Sequence, residues 1–417
     1  MNVQYYLDGF FTALWWNGAL YGLYKVCSLS FTLLLYYLLP AEVFSLWITL
    51  TSITYLMLLW SDFGLRKAIA RYGLVCGGKI ATWYNHIIVF QIAVYGALFP
   101  FWYFFIQYKV PVHYQLLFTC SLFSFFVVRG LVELIKSFYH ALFKNQYFNT
   151  WNMIALFSEF LISCALCLFS FDPFVIVALL FFIATSVYIV LLVYAFVQLQ
   201  PLILLSYDTH TASSFTYRTF IKHAVSMWYV GVSKSFSERN FLIPLVSFVS
   251  GTVQGNNFKI TYDAALFIYR IGLRVMGSND TVLLSIAYIQ NCKKLLHTTV
   301  SLVHTTYIKL FVILFIFGCI LLSVQPIFFS HIIFPLFFIV GISYTLEMFL
   351  LPYERFLEVK QQYIPLITIT IFYSIGFLVM LYCYIYNMVS FLFFIGGIHS
   401  LRLIYSFFCM IWYTVFK

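Results

Sequence analysis

Apolar runs of about twenty residues recur along the chain, each ending in a short polar or basic stretch. That alternation predicts membrane-spanning helices, because about twenty residues at 1.5 Å each cross a hydrocarbon core of about 30 Å. Twelve runs fit, at residues 17–39, 43–61, 82–107, 114–135, 150–170, 174–198, 223–250, 262–288, 305–325, 330–352, 362–384 and 388–412. Residues 1–16 are mixed and aromatic, and read as an interfacial lead-in. The most polar linker, 206–222, follows Pro201 and divides the chain near its middle. The expected organisation is an N-terminal six-helix lobe (1–200), a cytoplasmic linker (201–222) and a second six-helix lobe (223–417). The predicted fold is all-α and polytopic, with about twelve transmembrane helices in two lobes around a central cavity, an architecture common among transporters built from repeats.

Composition strengthens this reading. Only 9% of the 417 residues are charged and 63% are apolar, whereas a soluble domain carries about a quarter charged residues. The net charge of +10 is no nucleic-acid signature, since the basic residues concentrate between spans, where orientation requires them. Sixteen of the 23 Lys and Arg fall on one side of the twelve-span topology, among them Arg66, Lys67, Arg71, Arg129 and Arg402, and only Lys109 and Lys259 on the other. Both termini are therefore expected in the cytoplasm. No removable signal is evident at the N-terminus.

Metal and redox chemistry find little support in the pattern. Of nine Cys, only Cys164 and Cys167 form a CxxC, and on an apolar helix this pair reads as small packing residues. Nine His include no HExxH. No metal and no cofactor are expected, apart from coupling to H⁺ or Na⁺.

The polar positions inside the spans carry the functional signal. Asp263, Arg270 and Arg274 fall at i, i+7 and i+11 and make one helical stripe. Lys234 and Glu238 are i,i+4 neighbours able to pair, with Arg239 turned away. The first span presents Asn17, Tyr21, Lys25, Ser28 and Thr32, the fifth Asn152, Glu159 and Ser163, and the tenth Ser343 and Glu347. A cation at mid-bilayer costs about 2.5–3.5 kcal/mol, so five facing lipid (Lys25, Lys234, Arg239, Arg270, Arg274) would cost roughly 12–17 kcal/mol, rivalling a domain's stability. These residues are expected to face protein or water. Each cation could pair with Glu159, Glu238, Asp263 or Glu347, yet the acids are fewer and lie on four spans, which leaves positive charge for an anion. Arg270 and Arg274 would suit phosphate oxygens. The stretch 62–71 reads as structural and topogenic, with Asp62 and Arg66 able to pair.

The run LLPAEVFSLW at 38–47, SDFGLRKAIARYG at 61–73 and the region from Ile260-Thr261-Tyr262-Asp263-Ala264-Ala265 to Met276 resemble the polysaccharide flippases of the multidrug/oligosaccharidyl-lipid/polysaccharide (MOP) exporter superfamily. Phe44-Ser45 and Glu238-Arg239-Asn240 depart from that family's usual residues. The resemblance implies translocation of an undecaprenyl-diphosphate-linked oligosaccharide, such as an O-antigen repeat unit, across a bacterial inner membrane by alternating access, in company with other polysaccharide-assembly membrane proteins. Lys25, Arg270 and Arg274, then Lys234 and Arg239, are the expected contacts to the anionic head group, and Glu159 and Glu347 the candidates for ion coupling. The alternatives are a cation-coupled multidrug exporter of the same superfamily and, further off, a membrane-embedded glycan polymerase or glycosyltransferase. The short outward loops argue against an enzyme.

Overall fold

A computed structural model describes residues 3–72, 78–142, 144–205, 216–276 and 333–416, with isolated residues between 284 and 316. Among the described residues the secondary structure is helical, with one 3-10 turn at Val112–Tyr114. Among these same residues six helical segments are long and apolar enough to cross a membrane, or seven when a bent pair is taken as one span. The chain forms two compact units, Val26–Trp228 and Met1–Lys25 together with Tyr229–Lys417.

The first unit holds the end of α1 (Val3–Leu38), from Val26 onward, then α2 (Ala41–Trp60), α3 (Leu65–Tyr72), α4 (Gly78–Ala97), α5 (Phe99–Lys109), α6 (Gln115–Ala141), α7 (Asn145–Leu166), α8 (Pro173–Leu205) and the start of α9 (Tyr217–Ser235). The expected lead-in is no separate segment, because α1 is helical from Val3. The third run divides at Leu98 into α4 and α5, with Pro100 near the start of α5, where its missing N–H costs nothing. Helices α6 and α8 pack along one another. Tyr139 Oη donates to the Ala195 carbonyl at 2.9 Å, and the Arg129 guanidinium lies 4.4 Å from the Tyr188 ring centroid. Arg129 is buried within α6, bonded to Glu133 at 3.0 Å, and is not the loop residue that the charge count assumed. Gly130 is required here, since a Cβ at that position would meet Tyr95 Oη at 2.2 Å.

Between α2 and α3 the chain makes a tight turn. Asp62 accepts from the Gly64 N–H and from Arg66 Nε, the pairing that the i,i+4 spacing suggested. Burial alone would lower the Arg66 pKa, but the nearby charges of Asp62 and Glu133 raise it and hold the guanidinium protonated. α3 is short and amphipathic, burying Leu65, Ala68, Ile69 and Tyr72 while Lys67 stays half-exposed.

The second unit contains α1 as far as Lys25 and the end of α9, then α10 (Arg239–Ser250), α11 (Thr252–Met276), α12 (Phe334–Val359), α13 (Tyr363–Ile385) and α14 (Phe391–Phe416). α12 packs against α11 and α14, and α14 against α13. The expected eighth span, 262–288, starts ten residues too late, because α11 begins at Thr252. α12 bends by 47° between Glu347 and Phe349; Pro352 cannot donate to the carbonyl of residue 348, which accounts for the bend. The expected ninth span, 305–325, lies outside the described residues apart from isolated positions.

Candidate functional site

The expected seventh span is two helices. α9 ends at Ser235, where Ser235 Oγ and Ser237 Oγ turn back to the carbonyls of Val232 (2.6 Å) and Lys234 (2.9 Å). Glu238 is extended at φ −86°, ψ 153°, and α10 starts at Arg239. Hydroxyls that satisfy local carbonyls offer the backbone an alternative to the helix ladder, which places the break among three serines. The break also corrects the expected Lys234–Glu238 pair, since helical i,i+4 geometry does not exist across it. Lys234 instead pairs with Glu354 of α12 and lies 4.6 Å from the Tyr405 ring centroid.

On the other side of the break, Arg239 pairs with Asp263 of α11. Asp263 also takes Lys259, one turn earlier on the same helix. Lys259 was expected in an outward loop, but α11 begins before it and its side chain is buried. Lys25, half-buried on α1 within the same unit, adds to the positive field at Asp263. One carboxylate thus answers to three cations. Arg270 and Arg274 belong to α11, but their side chains lie outside the described residues.

A second network fills the space between α11, α12 and α14. Arg402 Nη2 donates to Glu347 Oε1 at 2.8 Å, and Arg402 Nη1 reaches Tyr344 Oη at 3.4 Å and Ser237 Oγ at 3.5 Å. Tyr344 Oη is 3.3 Å from Tyr262 Oη, which is 3.3 Å from His399 Nε2, and His399 Nδ1 is 3.1 Å from Ser343 Oγ. Arg402 was assigned to a cytoplasmic end; it is 6% exposed, one side of an ion pair whose partner Glu347 is 4% exposed. Glu347 Oε2 and Arg402 Nε, both buried, have no hydrogen-bond partner among the described residues. Glu354 and Glu358, 3% exposed, continue the Ser343–Glu347 face at i+11 and i+15. Ending the tenth run at residue 352 hid them, and the same spacing extended two turns further would have found them. His399 and Arg402 share α14 at i,i+3, a spacing also visible in the sequence.

Glu159 is on α7 in the other unit, within the field of Arg129 and hydrogen-bond reach of Tyr188. The two candidate coupling acids therefore belong to separate ion networks. Among the described residues no group of three or more His, Cys, Asp or Glu has the geometry to hold a metal ion.

Against known proteins, no family model and no curated protein matches the chain. Solved structures do. A MATE in the bent conformation is 13% identical with a TM-score of 0.64, over 100% of this chain and 95% of that one. An outward-facing multidrug resistance MATE family transporter of the MOP superfamily is 13% identical with a TM-score of 0.65, over 97% and 94%. A MOP superfamily transporter from Pyrococcus furiosus, reported with a binding pocket of reverse polarity that suggests a different function, is 11% identical with a TM-score of 0.61, over 100% and 96%. The chain has the fold of the MATE transporters of the MOP superfamily. At these identities the likeness bears on the fold, and it is the all-α, polytopic architecture expected from the sequence.

Proposed function

We propose that this protein is a secondary exporter of the MOP type that moves an amphipathic anion across a bacterial inner membrane by alternating access, with both termini in the cytoplasm. The observation that carries the anionic preference is the set of three cations, Arg239, Lys259 and Lys25, around the single carboxylate of Asp263. Of the three cations, Arg239 and Lys25 are not fully buried, so a phosphate, sulfonate or carboxylate reaching them would exchange hydration for charge-assisted hydrogen bonds. Of the two cargo classes drawn from sequence, the solved structures of this fold favour the multidrug class, because those neighbours bear that name. The lipid-linked oligosaccharide is the second reading, and the excess of positive charge favours it, since a diphosphate would use two cations at once. Arg270 and Arg274, about two and three turns beyond Asp263 on α11, extend the proposed contacts.

Coupling is assigned to Glu347. A buried carboxylate with one oxygen on Arg402 and the other without a hydrogen-bond partner among the described residues is placed to accept a coupling proton, and protonation would release Arg402 from its pair. Efflux measured in cells with an anionic dye (carboxyfluorescein) and a cationic one (ethidium), alongside surface glycan, tests both assignments. The wild type should export the anionic dye, and Arg239→Ala with Lys259→Ala together should slow that export about tenfold, the equivalent of 1.4 kcal/mol. Glu347→Gln should leave a residual export that no longer responds to collapse of the proton gradient. Export of ethidium alone would reject the anionic cargo, and loss of surface glycan with no dye exported would favour the lipid-linked class.

A further inference from the structure

Two polar rungs join α12 to α14, one helical turn apart. One is the Glu347–Arg402 pair, and the other is Ser343 Oγ with His399 Nδ1, at 3.1 Å. Glu347 follows Ser343 by four residues on α12 and Arg402 follows His399 by three on α14, so the imidazole shares a face of each helix with the ion pair. Tyr344 and Tyr262 close the ring of contacts on the α11 side. Arg402 Nη1 is 3.4 Å from Tyr344 Oη, and the steps from Tyr344 to Tyr262 and from Tyr262 to His399 Nε2 are 3.3 Å each. Ser343, Tyr344, Tyr262 and His399 are all buried, none more than 3% exposed. A buried imidazole bonded through both nitrogens to two other helices has one orientation open to it.

Each hydroxyl in this chain can donate or accept, but a guanidinium only donates. The charge of Arg402 therefore sets the direction of every bond. It draws the Tyr344 oxygen toward itself and turns the Tyr344 hydrogen away, onto Tyr262. Tyr262 in turn points its hydrogen at His399. Nε2 is then an acceptor, and the single proton of a neutral ring sits on Nδ1 and is donated to Ser343 Oγ. Hydrogen bonds aligned head to tail strengthen one another by about 10–30% per bond. Tyr344 is accordingly a better acceptor for Arg402 with the chain behind it than without. Its ring holds the same guanidinium from a second direction, with the centroid 5.1 Å from the Arg402 Cζ.

We infer that His399 is a positioning residue for the Glu347–Arg402 pair: as its Nδ1–H tautomer it ends a chain, through Tyr262 and Tyr344, that holds the Arg402 guanidinium against the carboxylate. Its bearing on transport rests on the assignment of coupling to Glu347 above. Among the described residues, the other titratable groups in the field of the pair are Glu238 at the α9–α10 break and Tyr373 of α13. Glu354, two turns further along α12, takes Lys234. The chain carries no charge of its own, so cutting it at Tyr262 or His399 loosens Arg402 and leaves the charges around Glu347 as they are. A cation held less firmly stabilises the ionised carboxylate less, and Glu347 then takes its proton at a higher pH.

Two measurements on the full-length protein in proteoliposomes test the assignment, and neither needs cargo. Nitrogen-15 NMR of histidine-labelled protein at neutral pH reads the tautomer. The signals lost in His399→Gln should be those of a neutral ring protonated on Nδ1 and bare on Nε2; a proton on Nε2, alone or beside one on Nδ1, overturns the inference. Infrared titration reads the carboxylic-acid band of Glu347, identified by its loss in Glu347→Gln. In Tyr262→Phe and His399→Phe the midpoint of that band should rise by about half a pH unit, a roughly threefold change in proton affinity. A midpoint unmoved or lowered in both variants overturns the inference. If the His399 variants do not fold, Tyr262→Phe, which keeps the ring and loses only the hydroxyl, decides. A raised midpoint in a protein whose dye export ignores collapse of the proton gradient would keep the role of His399 and remove the coupling reading.

Discussion

Arg402 lies where a charge has the most to lose. Both it and Glu347 are buried, and each keeps a polar atom without a hydrogen bond among the described residues. Removing one member of such a pair strands the other, a loss of about 3–5 kcal/mol in soluble proteins. Arg402→Met should therefore lower the melting temperature in detergent sharply, while Arg402→Met combined with Glu347→Gln should recover most of the loss. Equal melting of the single and double variants would mean that the pair contributes nothing beyond its packing. The magnitude differs at Asp263, where removing Lys259 still leaves Arg239 as partner, so Lys259→Met should cost less stability than Arg402→Met.

At the scale of elements, the α2–α3 turn makes a graded prediction. Trp228→Phe keeps the ring over Phe63 and loses only the donor to the Trp60 carbonyl, a loss of about 0.5–1.5 kcal/mol. Gly64→Ala places a methyl group where the Ala224 carbonyl already sits, in a backbone conformation that alanine resists. Thermal melts should rank Gly64→Ala as the more damaging; the reverse order would show that the hydrogen bond, and not the close approach, fastens the turn. Most of these elements were legible in the sequence, because apolar runs of span length are hard to mistake. α2, α6, α8, α13 and α14 lie where the pattern placed them. Element ends were not legible, and the ends decided the site. Residues 252–261 are polar enough to pass for a loop, so Lys259 was taken out of its helix. Run twelve was drawn well past Arg402, but the residue was credited to orientation although it sits fourteen residues before the helix ends. The break at 236–238 escaped because three serines do not interrupt hydropathy; they interrupt hydrogen bonding, which periodicity does not see.

For the whole molecule, the orientation proposed from basic residues gives a direct test. A fluorescent protein fused after Lys417 should glow and an alkaline phosphatase fused there should be inactive, since the first matures in the cytoplasm and the second only outside it. The opposite pair of results would reverse the assignment of every loop. The division of the chain into units has another consequence, one of timing. Met1–Lys25 packs with residues that begin at Tyr229, so that stretch waits for its partner while Val26–Trp228 is made. At about 5–20 residues per second, that wait is about 10–40 s, longer than a helix needs to form. Throughout it the part of α1 that ends at Lys25 has none of its neighbours from Tyr229 onward. A segment made early is thus among the last to find its place.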